Sequence, residues 1–194
     1  MPTQLILASS SPRRREVLTE AGIAFLVDAA DVPEVAQSGE MPLHFARRLA
    51  RQKAQAVAGR HPNDFILGAD TIVLVDYEVL GKPVDKNDAA GMLRSLCGRM
   101  HDVITTVCVV PPKNSRVPWP DVRHATTEVE FRKITEREIA EYIATGEPMD
   151  KAGAYAIQGG AAKFITRYDG DYNNVVGLPL ALTRAMLKES GAAF

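Results

Sequence analysis

The sequence predicts an α/β fold built on a mixed, strongly twisted sheet flanked by helices, and three observations carry that expectation. Helical patterns lie between strands in the first half, and a long hairpin occupies the second. The most apolar stretch, Phe65 to Val75, reads as a central strand buried on both faces. At 194 residues with 46% hydrophobic content, the chain can bury one substantial core or two smaller lobes.

Composition narrows the function classes. A net charge of −1 gives no overall basic field, so a polymeric nucleic-acid partner is not indicated, although a local anion site is compatible with it. Apolar runs stay below the roughly 18 residues of a membrane span, and the N-terminus lacks a signal-peptide pattern, so the expected address is the cytoplasm and no membrane partner is expected. Cys97 and Cys108 have no Cys-x-x-Cys spacing and read as free thiols. His44, His61, His101 and His124 are scattered, which disfavours a His- or Cys-built zinc site and leaves oxygen as the ligand for any metal.

Leu5 to Ala8 forms a short apolar strand running into Ser9-Ser10-Ser11-Pro12-Arg13-Arg14, where a helix begins at Pro12. Ser11 is placed to cap it, Pro12 suits its first turn, and Gly22 closes it. The first-turn amides, the hydroxyls of Ser9 and Ser11, and Arg13 and Arg14 together make an anion site suited to phosphate. Plain capping explains Ser11 and Pro12, but two arginines oppose the positive end of a helix dipole unless an anion is there.

Ile23 to Val27 reads as a second strand, followed by a polar loop with Asp31, Glu34 and Glu40. A helix from about Leu43 to Ala58 carries the stripe Phe45, Ala46, Leu49, Ala50, Ala54 and Val57. Lys53 falls on that stripe, whereas Arg47, Arg48 and Arg51 fit a solvated face. Either Lys53 snorkels out or it is a cation aimed at the same anion.

Within Phe65 to Val75 the only ionisable side chain is Asp70. Buried without a partner, a carboxylate would be protonated or would cost roughly several kcal/mol, so it needs a metal, Lys or Arg beside it. The alternative is a strand that ends near Gly68 and leaves Asp70 in an exposed turn.

Asp76-Tyr77-Glu78 reads as a hairpin connection into Val79-Leu80, which places Lys82 at a strand end. Gly81-Lys82 is not a phosphate-binding Walker loop, because Asp76 and Pro83 stand where that motif needs Gly and Ser or Thr. Ala89 to Leu96 forms a helix closed at Gly98, and Val103 to Val110 and Thr126 to Phe131 form strands joined through the proline-rich Pro111 to Pro120. Thr135 and Glu138 make a capping box for a helix from about Glu136 to Thr145. From Met149 to Gly160 the chain is dense in Gly and Ala. Small residues let backbone approach a ligand, and Gln158 offers one donor and one acceptor, while a plain flexible loop explains the composition equally well. Phe164 to Arg167 is a strand, Asp169-Gly170 a turn, and Val175 to Leu178 with Pro179 leads into a closing helix to about Glu189.

Four segments, Ser9 to Arg14, Gly68-Ala69-Asp70-Thr71, Gly81-Lys82-Pro83, and Asp150-Lys151-Ala152-Gly153-Ala154-Tyr155 with Ile157-Gln158-Gly159, resemble the Maf family in their order and spacing. The resemblance implies a nucleoside triphosphate pyrophosphatase forming one domain over residues 1–194, with two lobes around a central cleft and a divalent metal, Mg²⁺ or Mn²⁺. It implies that Asp70 is the catalytic base and that Asp70 and Glu34 hold the metal. Pro33 precedes Glu34 where relatives often carry two acids in a row. It further implies that Arg13, Thr71 and Gln158 mark the branch acting on dTTP and UTP, that Lys53 and Lys82 meet the phosphates, and that Asp150 and Lys151 belong to the substrate site. A homodimer and an association with septum formation are also expected from it. The cations singled out from the residues alone, Arg13, Arg14, Lys53 and Lys82, complement the about four negative charges of a triphosphate. Three functions compete: this enzyme, a nucleotide-binding regulator of cell division, and a pyrophosphatase that removes modified nucleotides.

Overall fold

The computed structural model describes residues 3–117 and 120–192. Pro118 and Trp119, in the proline-rich connector, lie outside the described residues. The strands are β1 (Leu5–Leu7), β2 (Leu26–Val27), β3 (Phe65–Val75), β4 (Glu78–Leu80), β5 (Met100–Val110), β6 (Asp121–Phe131) and β7 (Ile165–Asp169). The helices are α1 (Pro12–Glu20), α2 (Pro42–Ala58), α3 (Lys86–Leu96), α4 (Glu136–Ala144), α5 (Tyr172–Val176) and α6 (Leu180–Glu189). The sheet order is β2-β1-β3-β5-β6-β7, with β4 also paired to β3. It is mixed as expected: β1 runs parallel to β2 and β3, whereas β3–β4 and β6–β7 are antiparallel.

The chain divides into two compact units, residues 1–70, 105–125 and 177–194 in the first and 71–104 and 126–176 in the second. In the first unit, Ile6 pairs with Ile66, and both pack with Ala50, Ala54 and Val57 of α2 and with Cys108. Gly68 is the point of closest approach between β3 and α2. A methyl group there would meet the Ala50 carbonyl oxygen and would lie 2.9 Å from Ala54 Cβ. The bare glycine therefore seats α2 against the strand. The second strand is shorter than its sequence suggests, since only Leu26 and Val27 pair and both are exposed. Ser11 occupies the N-cap position of α1, but its hydroxyl caps nothing; its amide donates to Ser9 Oγ at 3.2 Å.

In the second unit, β3 turns into β4 through Asp76 and Tyr77, both left-handed, as a two-residue hairpin turn requires. Asp85 caps α3 by accepting from the Asp88 amide at 2.8 Å, and Thr135 and Glu138 form the expected capping box on α4. The core here is aromatic: Phe131 meets Tyr155 edge to face at 4.9 Å, and Tyr142 meets Phe164 at 5.5 Å. His101 lies in the same cluster, with Nε2 2.8 Å from Tyr155 Oη. The Gly- and Ala-rich stretch is not a flexible loop, for Ala154, Tyr155, Ala156 and Ile157 are all buried. Gly153 is left-handed and sits so close to Val73 that a side chain would be 2.9 Å from Val73 Cγ2. The short helix α5 stands just before the Pro179 lead into α6. It is held by Asn174, whose Nδ2 donates to the Val103 carbonyl and to Thr127 Oγ1. Among the described residues, no helix is long and apolar enough to cross a membrane.

Candidate active site

Asp70 is the sixth residue of β3, with 6% of its surface exposed. The strand does not end at Gly68, so the exposed-turn alternative is removed. The residue that meets the carboxylate comes from α2. Lys53 is 8% exposed, and its Nζ donates to Asp70 Oδ1 at 2.7 Å and to Glu34 Oε1 at 2.6 Å. Lys53 thus points inward from the apolar stripe, as its heptad position requires, and does not snorkel. Glu34 reaches it from the loop after β2, with a side chain 40% exposed.

Arg14 completes the set. Its guanidinium is buried, with Nη1 donating to Ser9 Oγ at 3.0 Å and Nε to the Gly177 carbonyl at 2.9 Å. Burial lowers the pKa of Arg14, and the positive charge of Arg13 pushes the same way; the charges of Asp70 and Glu34 oppose them. Burial raises the pKa of Asp70 above the ordinary carboxylate value, and the Lys53 ammonium, then Arg14, pull it back. The result is a carboxylate held among cations in a dry setting, with its proton affinity above that of a surface Asp. Such a group can take a proton from a water molecule placed beside it.

The two neighbouring arginines are not equivalent. Arg13 is half-buried and Arg14 is sequestered, on the same helical face as the buried Val17 and Leu18 three and four residues on. Ser9 is buried as the acceptor for Arg14, whereas Ser11 is half-buried at the helix start.

The remaining predicted site residues belong to the second unit. Thr71 directly follows Asp70 and is half-buried, and Lys82 is exposed after β4. The Gly153 amide donates to the Gly81 carbonyl at 3.0 Å, which ties the Gly81-Lys82-Pro83 segment to the Asp150–Tyr155 segment. Two of the four motifs found in sequence are thereby joined. Asp150 forms an ion pair with its neighbour Lys151. Gln158 is exposed on a turn closed by the Gly159 amide and the Ala156 carbonyl at 3.1 Å. Reading the sequence missed the residues that hold this turn, Tyr142 and Glu147.

Comparison with known proteins agrees with this arrangement of motifs. Residues 4–190 match the family model described as Maf-like protein. The chain is 53% identical over 187 residues to a dTTP/UTP pyrophosphatase of Koribacter versatilis, with 96% of this chain and 94% of the relative covered. It is 50% identical over 189 residues to a dTTP/UTP pyrophosphatase of Geobacter sulfurreducens, with 97% of each covered. Among solved structures, a HAM1 protein from Coxiella burnetii aligns with a TM-score of 0.50 at 16% identity, covering 97% of this chain and 100% of that one. That last likeness is one of fold.

Proposed function

Because the chain belongs to the Maf family, we propose that it hydrolyses dTTP and UTP to the nucleoside monophosphate and pyrophosphate. The observation that carries this reading is the Asp70 carboxylate, buried on a central strand and bonded to Lys53. A site that only binds a polyanion gains nothing from a buried negative charge, whereas a hydrolase needs a base.

In this reading Asp70 takes a proton from water as the water oxygen bonds to the α-phosphorus. The bond from that phosphorus to the oxygen bridging to the β-phosphate breaks, and pyrophosphate leaves with the electron pair. Arg13 and Lys82 offer charge to the phosphates. Arg14, held by Ser9 Oγ and the Gly177 carbonyl, keeps a fixed positive charge near Asp70 and restrains it from taking up a proton prematurely. Lys53 holds Asp70 and Glu34 together until substrate arrives, and then becomes available to phosphate oxygens.

The donor set fits a divalent metal that arrives with the triphosphate. Among the described residues no three His, Cys, Asp or Glu side chains form a metal-holding group. Two carboxylates, Glu34 and Asp70, converge on one cation, the Lys53 ammonium. One or two carboxylates completed by phosphate oxygens is a common Mg²⁺ arrangement. Glu34 and Asp70 would hold Mg²⁺ or Mn²⁺, which supplies charge neutralisation to the leaving pyrophosphate.

The test is a panel of canonical and modified triphosphates with Mg²⁺ or Mn²⁺, with pyrophosphate and orthophosphate measured separately. Pyrophosphate from dTTP and UTP is expected; orthophosphate alone would sink the reading. A homodimer belongs to the same proposal, on the family resemblance. Light scattering that found only a 21.1 kDa species at micromolar concentration would remove it.

A further inference from the structure

Gln158 is exposed on a turn, yet an amide that reads a base edge must be held in place. The structure around it supplies that restraint. Two residues before Gln158, the Ala156 amide donates to Tyr142 Oη at 3.2 Å. Two residues after it, the Gly160 amide donates to both carboxylate oxygens of Glu147, each at 3.1 Å. The two anchors are themselves joined, because Tyr142 Oη donates to Glu147 Oε1 at 2.7 Å.

Both anchors are fixed from behind. Tyr142 is 2% exposed on α4 and packs edge to face against Phe164. Glu147 follows the left-handed Gly146, and its amide donates to Thr145 Oγ1 at 3.1 Å. The two glycines after Gln158 leave room for this contact. A side chain at Gly159 would collide with the Glu147 carboxylate, and one at Gly160 would lie 3.2 Å from the Tyr142 ring. A surface carboxylate accepting from a backbone amide is common in itself, but one that joins a buried tyrosine to both flanks of a single exposed side chain is a support for that side chain.

We propose that Tyr142 and Glu147 are positioning residues that clamp the 156–160 turn and so set the selectivity Gln158 confers. This inference rests on Gln158 reading the uracil or thymine edge. Neither residue touches substrate. Their effect is carried by the orientation of Gln158, so loosening the clamp lowers discrimination between bases and leaves the phosphate chemistry in place.

The experiment measures kcat/KM for UTP and GTP in Gln158→Ala, Tyr142→Phe, Glu147→Ala, Glu147→Gln and the double variants with Gln158→Ala. Amide hydrogen exchange at residues 157–160 and thermal melting are recorded alongside. Gln158→Ala is expected to lower the UTP-to-GTP ratio by about ten-fold, the scale of losing a specific polar contact. Tyr142→Phe keeps the buried ring and removes only the hydroxyl. It and Glu147→Ala are each expected to lower the same ratio by roughly three- to ten-fold, to speed exchange in the turn, and to add nothing once Gln158 is Ala. Glu147→Gln retains one acceptor oxygen and should recover much of the ratio. Equal losses on UTP and GTP, or full additivity with Gln158→Ala, would make the two residues merely structural and overturn the clamp. An unchanged ratio in Gln158→Ala itself would overturn the base-reading assignment and the clamp's role with it.

Discussion

The two units handle their polar residues in opposite ways. In the first, Arg14, Lys53 and Asp70 are buried, with Lys53 bonded to Asp70 and Arg14 to Ser9 Oγ and the Gly177 carbonyl. In the second, Lys82 and Gln158 are exposed, and the order lies in the backbone beneath them, through Gly153 to Gly81 and through Tyr142 and Glu147 to the 156–160 turn. The contrast suits two tasks. Moving a proton requires a group whose charge is tuned by burial, whereas choosing a base requires a neutral amide presented at a fixed angle. Variants in the first set should therefore alter turnover on every triphosphate, and variants in the second should alter the ranking of triphosphates.

The largest effect is expected at Asp70. Asp70→Asn is nearly isosteric but cannot accept the proton, and should lower kcat by at least roughly 10²-fold on UTP and GTP alike, with the fold intact by circular dichroism. Near-normal turnover would erase the contrast, because Asp70 would then be a structural group. Lys53→Met comes next. It strands the Asp70 carboxylate without its bonded partner, and breaking a buried pair from one side costs about 3–5 kcal/mol in denaturant unfolding. Its effect on rate should again be shared by all substrates. Arg13→Ala should raise KM for triphosphate.

Gln158→Glu should act differently. Glutamate keeps an acceptor for the pyrimidine N3–H, loses the donor and sets a charge against a carbonyl oxygen, so the UTP-to-GTP ratio of kcat/KM should fall by roughly ten-fold while folding is unchanged. Equal losses on both nucleotides would contradict the division of labour.

The last contrast concerns pH and stability, not rate, and the units again differ in sign. Burial lowers the pKa of His101 from 6.5 to about 4. A base with a depressed folded pKa contributes stability that is fully present above 6.5 and is lost as pH falls towards 4. The loss is on the order of 3 kcal/mol, since each pKa unit is worth about 1.4 kcal/mol. Asp70, with its raised pKa, works the other way, because its burial costs less as it protonates. Thermal melts from pH 7 to 4 should fall less steeply in His101→Gln than in the native chain, and more steeply in Asp70→Asn.

The sequence disclosed the first unit's site better than the second's, for a physical reason. A charge on an apolar strand or an apolar helical stripe is an exception to a periodic pattern, so Asp70 and Lys53 could be found one at a time, and the structure joins them at 2.7 Å. The capping box at Thr135 was equally plain, since its partners are three residues apart. What pattern could not reveal was set by contacts distant in sequence. The acceptor that holds buried Arg14, the Gly177 carbonyl, lies 163 residues away. Helix α5 forms because Asn174 bonds to β5 and β6. Glu147 lies past the end of the expected Glu136–Thr145 helix, and its bond to the Gly160 amide leaves no periodic trace. The one local hint was the pair Gly159-Gly160, whose missing side chains make room for Glu147 and Tyr142.

The central claim, that water is driven onto the α-phosphorus, is tested most directly by the fate of the water oxygen. Hydrolysis of UTP in water enriched in oxygen-18, followed by mass spectrometry of both products, should place one labelled oxygen in the monophosphate and none in the pyrophosphate. Label in pyrophosphate would put the attack on the β-phosphorus, and labelled orthophosphate would put it on the γ-phosphorus; either result would contradict the account.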